Sequence, residues 1–274
     1  MNKSFKLFIV YMLFLFSIFF VGCSRIDDLK VKIGMKNTDF EYVKEGKIKQ
    51  ITIENVRDKS YKFIVKDENS IMQIYDILSK ADRVDAKIPL TPDYIISLED
   101  KSSNVYKFSY VAGIDKTETG NFYNDDTAYI VSKRLDNDII KYFWNLRRPS
   151  DFNDVYYGNI LKSIDKYYKG ANINKLGINL LEDREVMKFI LTLDMETFKG
   201  ELPKNVKIIE TNDKKDYDTV MHITTAGYKS EIFKCIIKFE NKKSNKSRTF
   251  YIINKYNDGI WSYEFYEDKK PNNF

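Results

Sequence analysis

Apolar positions along this chain change their spacing several times. Residues 7–21 form a nearly unbroken apolar run behind Lys3 and Lys6. From Lys49 onward the spacing becomes that of folded elements. Ile51 and Ile53 alternate with polar neighbours, and residues 61–65 continue in the same manner, so both stretches predict strands. Asp67 offers a side-chain oxygen to the free backbone N–H groups of a helix that begins near Asn69. Ile71, Ile74, Tyr75, Leu78 and Ala81 then fall on one helical face.

Pro89 and Pro92 interrupt this pattern. Residues 94–98 and 105–111 predict two strands joined by a turn over 100–104, with Tyr106, Phe108 and Tyr110 on one face. A strand over 128–131 follows, then a helix over 133–147 with Leu135, Ile139, Phe143 and Leu146 on one side and Trp144 beside them. Pro149 ends that helix, because its ring disfavours helical backbone in the residue before it. The order β-β-α-β-β-β-α with hairpin-length links predicts an antiparallel sheet with helices packed against it.

The second half opens with helices. Residues 154–168 carry Ile160, Leu161, Ile164 and Tyr168 at helical spacing, with Gly170 placed as a C-terminal cap. Residues 173–181 and 183–197 predict a second helical region. After Pro203 the period changes to that of strands, over 206–210, 219–224, 231–239, 249–254 and 260–266. Phe233, Cys235, Ile237 and Phe239 alternate with Lys234, Ile236 and Lys238, as a sheet with one buried face requires. Asn257-Asp258-Gly259 is a hairpin signal. The expected fold class is therefore α+β: two small domains, 46–150 and 151–274, each an antiparallel sheet packed with helices. They follow a signal segment, 1–22, and a tether, 23–45, that includes a short strand over 29–33.

A charged start, an apolar stretch of about 7–15 residues and a small residue at the cut describe a secretory signal. The run 7–21 is shorter than the roughly 20 residues that span a bilayer core. Phe20-Val21-Gly22-Cys23 resembles the lipobox of bacterial lipoproteins, usually Leu-Ala/Ser-Gly/Ala-Cys. Gly22 and Cys23 match that pattern, and Phe20 departs from the usual Leu. The resemblance implies cleavage between Gly22 and Cys23 and a thioether-linked diacylglycerol on Cys23. The mature protein would then sit on the extracytoplasmic face of the cell membrane. Two acyl chains give stable anchoring where one, at about 0.8 kcal/mol per buried CH₂, gives marginal binding.

Two further resemblances cover the rest. Residues 45–150 resemble the YhfM-like domain of Gram-positive lipoproteins, on the helix 71–81, on Pro92-Asp93-Tyr94 leading into a strand, and on the final helix ending Leu146-Arg147. That likeness implies an envelope location and carries no catalytic residue across. Residues 151–268 resemble the cone-shaped α+β fold of the nuclear transport factor and cystatin kind. Such folds host both enzymes and binding modules, so the fold does not choose between them.

Composition narrows the partners. Removing residues 1–22 from the 274 leaves 252 and lowers the formal charge from +5 to +3. A nucleic-acid footprint would be a clustered basic stripe, whereas here Lys and acidic residues are interspersed, so no nucleic-acid partner is expected. The basic run 241–248 lies between strand patterns and reads as a solvated hairpin loop rather than a patch for anionic lipid or wall polymer. With Cys23 acylated only Cys235 remains, which excludes an intramolecular disulfide. A domain of this size builds a sufficient core without one.

Little in the sequence promises chemistry. Cys235 and His222 form the only available Cys–His combination, but Cys235 lies in phase with Phe233 and Ile237, in the core, where a thiol is inert. One His and one Cys are too few for the usual zinc sites, and neither a metal nor a cofactor is expected. Asn124-Asp125-Asp126 reads as a polar turn, without the ligand series of a calcium loop. Asp183, Glu185, Asp194 and Glu196 read as the wet side of the helical region. No Gly-rich phosphate loop, nucleophile elbow or Ser-x-x-Lys set is present. Trp261, Tyr263 and Phe265 share one face of the last strand, with Tyr256 at its hairpin, and read as the core side of a sheet. An exposed face of that kind would stack on sugars or clamp a peptide.

These readings predict a non-enzymatic, membrane-anchored binding module with an envelope protein or wall polymer as partner. Cys23 is its one assigned site, and no catalytic residue is assigned. The rivals are a spacer and an envelope enzyme using Glu182 or Glu185 in the mouth of the second domain. The direction those carboxylates face discriminates the enzyme.

Overall fold

The computed structural model describes residues 36–44, 46–114, 116–141, 148–169, 174–210 and 216–274. The signal segment, Gly22, Cys23, the strand expected over 29–33, Phe143, Trp144, Leu146 and Gly170 lie outside the described residues. The fold is α+β, with two sheets that are mainly antiparallel and a few helices.

The first sheet takes β1 (Ile48–Asn55), β2 (Lys62–Val65), β3 (Asp82–Val84), β4 (Tyr94–Asp100), β5 (Val105–Tyr110), β6 (Phe122–Tyr123) and β7 (Ala128–Ile130) in the order β2-β1-β4-β5-β6-β7-β3. Period-two burial puts Ile51, Ile53, Tyr94, Ile96 and Leu98 on one face. They share a core with α1 (Glu68–Leu78), which buries Ile71, Ile74, Tyr75, Ile77 and Leu78. Asp67 caps α1, accepting from Asn69 N at 3.1 Å and Ser70 N at 2.9 Å.

Two expectations need correction here. Residues 36–44 belong to the first core and are not tether: Phe40 and Val43 are fully buried, and the Phe40 ring lies 4.9 Å from Tyr129. A single 3-10 turn, Glu41–Val43, is too short to show a period. Within the helix expected over 133–147, of which 142–147 lie outside the described residues, Leu135–Ile140 is π-helical rather than α-helical, and it buries Leu135, Asp136, Ile139 and Ile140.

The second sheet has the order β13-β12-β11-β10-β8-β9. Four strands, β10 (Thr219–Lys229), β11 (Ile232–Asn241), β12 (Lys246–Asn257) and β13 (Ile260–Glu267), form the expected antiparallel meander. Asp258 and Gly259 both take positive φ, +51° and +81°, as a two-residue turn matching the strand twist demands. The basic run 241–248 is a hairpin loop with its flanks, drawn in where Asn241 Oδ1 accepts from Lys243 N and Ser244 N, each at 3.0 Å.

The other two strands correct the sequence reading. Residues 176–179, expected in a helix, are β8 (Leu176–Asn179), which pairs in parallel with β10 and with β9 (Val206–Ile208). The second sheet is therefore mixed. All four residues of β8 are buried, and a strand buried on both faces shows no alternation to distinguish it from a helical segment. The helices are α2 (Phe152–Tyr168) and α3 (Thr192–Glu201). Lys169, with φ +46°, closes α2 by donating to Asp165 O at 2.8 Å. That closure comes one residue before Gly170. Trp261, Tyr263 and Phe265 pack against the same core as α2, and Trp261 Nε1 donates to Ser150 O at 2.9 Å, so the aromatic stripe is core.

Candidate functional site

β4 starts directly after Asp93, and the carboxylate there is fully buried. Burial of that kind is costly unless each oxygen finds donors. Asp93 Oδ1 accepts from Arg57 Nη1 at 2.6 Å and from Thr192 N at 2.8 Å, and Oδ2 accepts from Ala112 N at 2.9 Å. Arg57 also donates through Nη2 to the Thr192 hydroxyl, which in turn donates to Thr91 O at 2.9 Å. Asn55, at the end of β1, aims Arg57 by accepting from its N–H at 2.9 Å.

Thr192 is the first residue of α3, whose N-cap, Leu191, supplies no side-chain hydrogen bond. The first N–H groups of any helix lack partners within it, and they favour negative charge. Asp93, from the first sheet, supplies that charge to a helix of the second core. The staple therefore links the two halves across 99 positions of sequence.

Beside it lies Asp136, carried inward by the π-helical turn. Its Oδ2 accepts from Gly113 N at 2.7 Å, whereas Oδ1 has no partner among the described residues. Gly113 has φ +80°, and the space where its Cβ would stand is faced by Leu193 and Leu191. Burial pushes the Asp136 carboxyl up to about 6, and the Asp93 charge acts in the same direction. The Gly113 N–H opposes that shift, as do Tyr110 and Lys141. At Asp93 itself burial raises the pKa, and the Arg57 guanidinium with its backbone donors pulls it back towards the ionised form.

Next to the staple is a groove of about 450 Å³, within the usual range for small-ligand sites. Leu90 from the first half faces Leu180, Met187, Ile190, Met195 and Ile209 from the second. Its charged rim residues are all in ion pairs. Arg57 is held by Asp93, and Lys199 lies 2.9 Å from both Glu196 and Glu210.

The residues expected to carry chemistry are dispersed. Cys235 is fully buried, and burial pushes its thiol well above the usual range. His222 pairs with Lys238 on the opposite sheet face, with Nδ1 2.8 Å from Glu182 Oε2, so no Cys–His pair forms. The native thiol should accordingly resist a maleimide until denaturant is added; stoichiometric labelling of folded protein lacking Cys23 would refute this placement.

Glu182 and Glu185 are exposed, and Glu185 lines a groove with Arg57, Arg184 and Lys188. Asp183 is not on a wet face. It is 1 % exposed and accepts from Thr225 N at 2.9 Å, the Thr225 hydroxyl at 2.8 Å and the Tyr156 hydroxyl at 3.2 Å. Asp194 is half-buried and Glu196 exposed. Asn124 closes the expected polar turn by accepting from Asp126 N and Thr127 N. Among the described residues, no group of three or more His, Cys, Asp or Glu side chains is arranged to hold a metal ion, and no helix is long and apolar enough to cross a membrane.

Sequence reasoning singled out Pro92-Asp93-Tyr94 but missed Arg57, Thr192 and Asp136. A lone Asp between a proline and an apolar strand was the available signal that a buried charge needs a partner.

Fold and site together define an α+β protein of two sheets, joined where a carboxylate of one caps a helix beside the other. Among protein families, the YhfM protein family model matches residues 44–149, so this segment is similar to that family. It contains Asp93, Arg57 and Asp136, whereas Thr192 lies beyond it. No curated protein and no solved structure matches the chain.

Proposed function

We propose that the protein is an extracytoplasmic lipoprotein, held at the cell membrane by a diacylglyceryl group on Cys23, and that its folded part is a non-enzymatic binding module. The partner, an envelope protein or a wall polymer, occupies the groove beside the Asp93–Arg57 staple. The observation that carries this reading is the composition of the groove. Both halves of the chain build its apolar walls, and its charged rim residues are bound to one another rather than poised over a reacting atom.

The anchor is tested by metabolic labelling with a palmitate analogue. Wild-type protein takes up label and partitions with membranes, and Cys23→Ala does neither. Equal label in the two would refute the lipoprotein reading.

A further inference from the structure

A second groove, of about 570 Å³, adjoins the first and shares Arg57, Leu181 and Met187 with it. Like its neighbour, it is built by both halves of the chain. Arg57 and Lys59 come from the turn between β1 and β2, and Arg184 and Lys188 come from the segment between β8 and α3. Lys59, Arg184 and Lys188 have no ion pair among the described residues. The Lys188 ammonium lies 5.6 Å from the centre of the Tyr61 ring, which closes that turn.

Surface cations alone do not define a site, and the wall between the two grooves adds a second observation. A guanidinium carries five N–H donors. Arg57 uses Nη1 on Asp93 and Nη2 on the Thr192 hydroxyl. Its remaining donors have no acceptor among the described residues. They are not sealed off, since the side chain keeps 10 % of its surface open and lines both grooves. The two acids of the lining behave differently. Asp58 is turned onto its own loop, where Oδ1 accepts from Ser60 N at 3.1 Å and from the Ser60 hydroxyl at 2.5 Å. Glu185 has no hydrogen bond or ion pair among the described residues and stays an open acceptor. Four cations against these two acids, with Asp93 answering Arg57, leave the groove net positive.

We infer that this groove binds a polyol phosphate polymer, whose phosphodiesters meet Arg57, Lys59, Arg184 and Lys188 and whose hydroxyls donate to Glu185. The inference rests on the reading of the protein as an envelope binding module and gives the chemistry of its partner. Guanidinium forks match phosphate oxygens two at a time, and here Arg57 and Arg184 bring one fork from each half. A single small anion would leave most of the groove empty and the cations of one wall unused. A chain with repeated phosphates reaches both walls. An open carboxylate in a basic groove suits a ligand that carries hydroxyl donors between its charges.

The test is calorimetric titration of the full mature chain carrying Cys23→Ala, so that no acyl group interferes, with a soluble glycerol phosphate oligomer. The expected result is a saturable isotherm that weakens as salt rises. Arg184→Gln with Lys188→Gln should lower the affinity by about tenfold or more. Lys242→Gln with Lys246→Gln removes the same charge at the far end of β11, since Phe189 lies 5.7 Å from Tyr228 at the near end, and should leave the isotherm as it is. Glu185→Gln, which keeps an acceptor but loses the charge, should bind at least as tightly as the parent. The inference is overturned by a non-saturable isotherm, by equal losses in the two double variants, by weaker binding of Glu185→Gln, or by equal affinity for a polyglutamate of the same length. Sedimentation with phosphatidylglycerol vesicles without oligomer binding would assign the cations to a lipid surface and overturn it as well. Labelling of Cys23 and crosslinking at the junction groove are read separately, so a failed titration with this oligomer is distinguishable from failure of the envelope-module reading.

Discussion

Replacing Asp93 with alanine should cost the protein about 3–5 kcal/mol, the usual penalty for removing one partner of a buried ion pair. The substitution strands three donors at once. Arg57 keeps its charge in a pocket where its side chain is 10 % exposed, and the N–H groups of Ala112 and Thr192 lose their acceptor. Because Thr192 begins α3, the loss should not stay within the first sheet. Urea unfolding followed by tyrosine fluorescence reads the change. The double variant Arg57→Met with Asp93→Leu should regain most of it, since a well-packed apolar pair often replaces a buried ion pair at little cost. A single Asp93→Ala variant within about 1 kcal/mol of wild type would mean that the staple is not a stabilising contact.

The second large effect is a gain. Asp136 is ionised at neutral pH inside a site that disfavours its charge, its pKa being pushed by burial from 3.8 to about 6. Between those values the folded chain holds a proton that the unfolded chain has released, so stability falls as pH rises through this window. The favourable contribution is complete below about pH 4 and lost above about pH 6, and the whole span is worth about 3 kcal/mol. Asp136→Asn removes the charge yet retains an oxygen for Gly113 N. The stability difference between variant and wild type should therefore be near zero at the acid end and grow to as much as about 3 kcal/mol in favour of the variant at neutral pH. Parallel pH profiles for the two proteins would contradict this placement of the carboxyl.

What could be read in advance follows from the range of the interactions. The meander from Thr219 to Glu267 was legible because alternation in Phe233, Cys235, Ile237 and Phe239 and the Asp258-Gly259 turn are encoded within a few residues. The Asp67 cap of α1 was legible for the same reason. β8 was not, because Leu176, Gly177 and Ile178 are buried on both faces and carry no period. Asp183 was taken for a solvent-facing residue, since nothing near it in sequence announces that Thr225 and Tyr156 will hold it. The staple shows the limit most clearly. Pro92-Asp93-Tyr94 is visible as a motif, but the need of α3 for a cap and the presence of Arg57 at the same point are properties of the folded chain. The junction groove likewise draws its lining from segments far apart in sequence.

The proposal that the junction is where this protein meets its partner is tested most directly by site-specific photo-crosslinking in intact cells. A photoreactive residue at Leu90, in the groove wall, should give a discrete covalent adduct with an envelope component. The same residue at Asp125, in an exposed turn of the first half, should give none. Adducts from both positions alike, or from neither, would contradict the assignment of the groove.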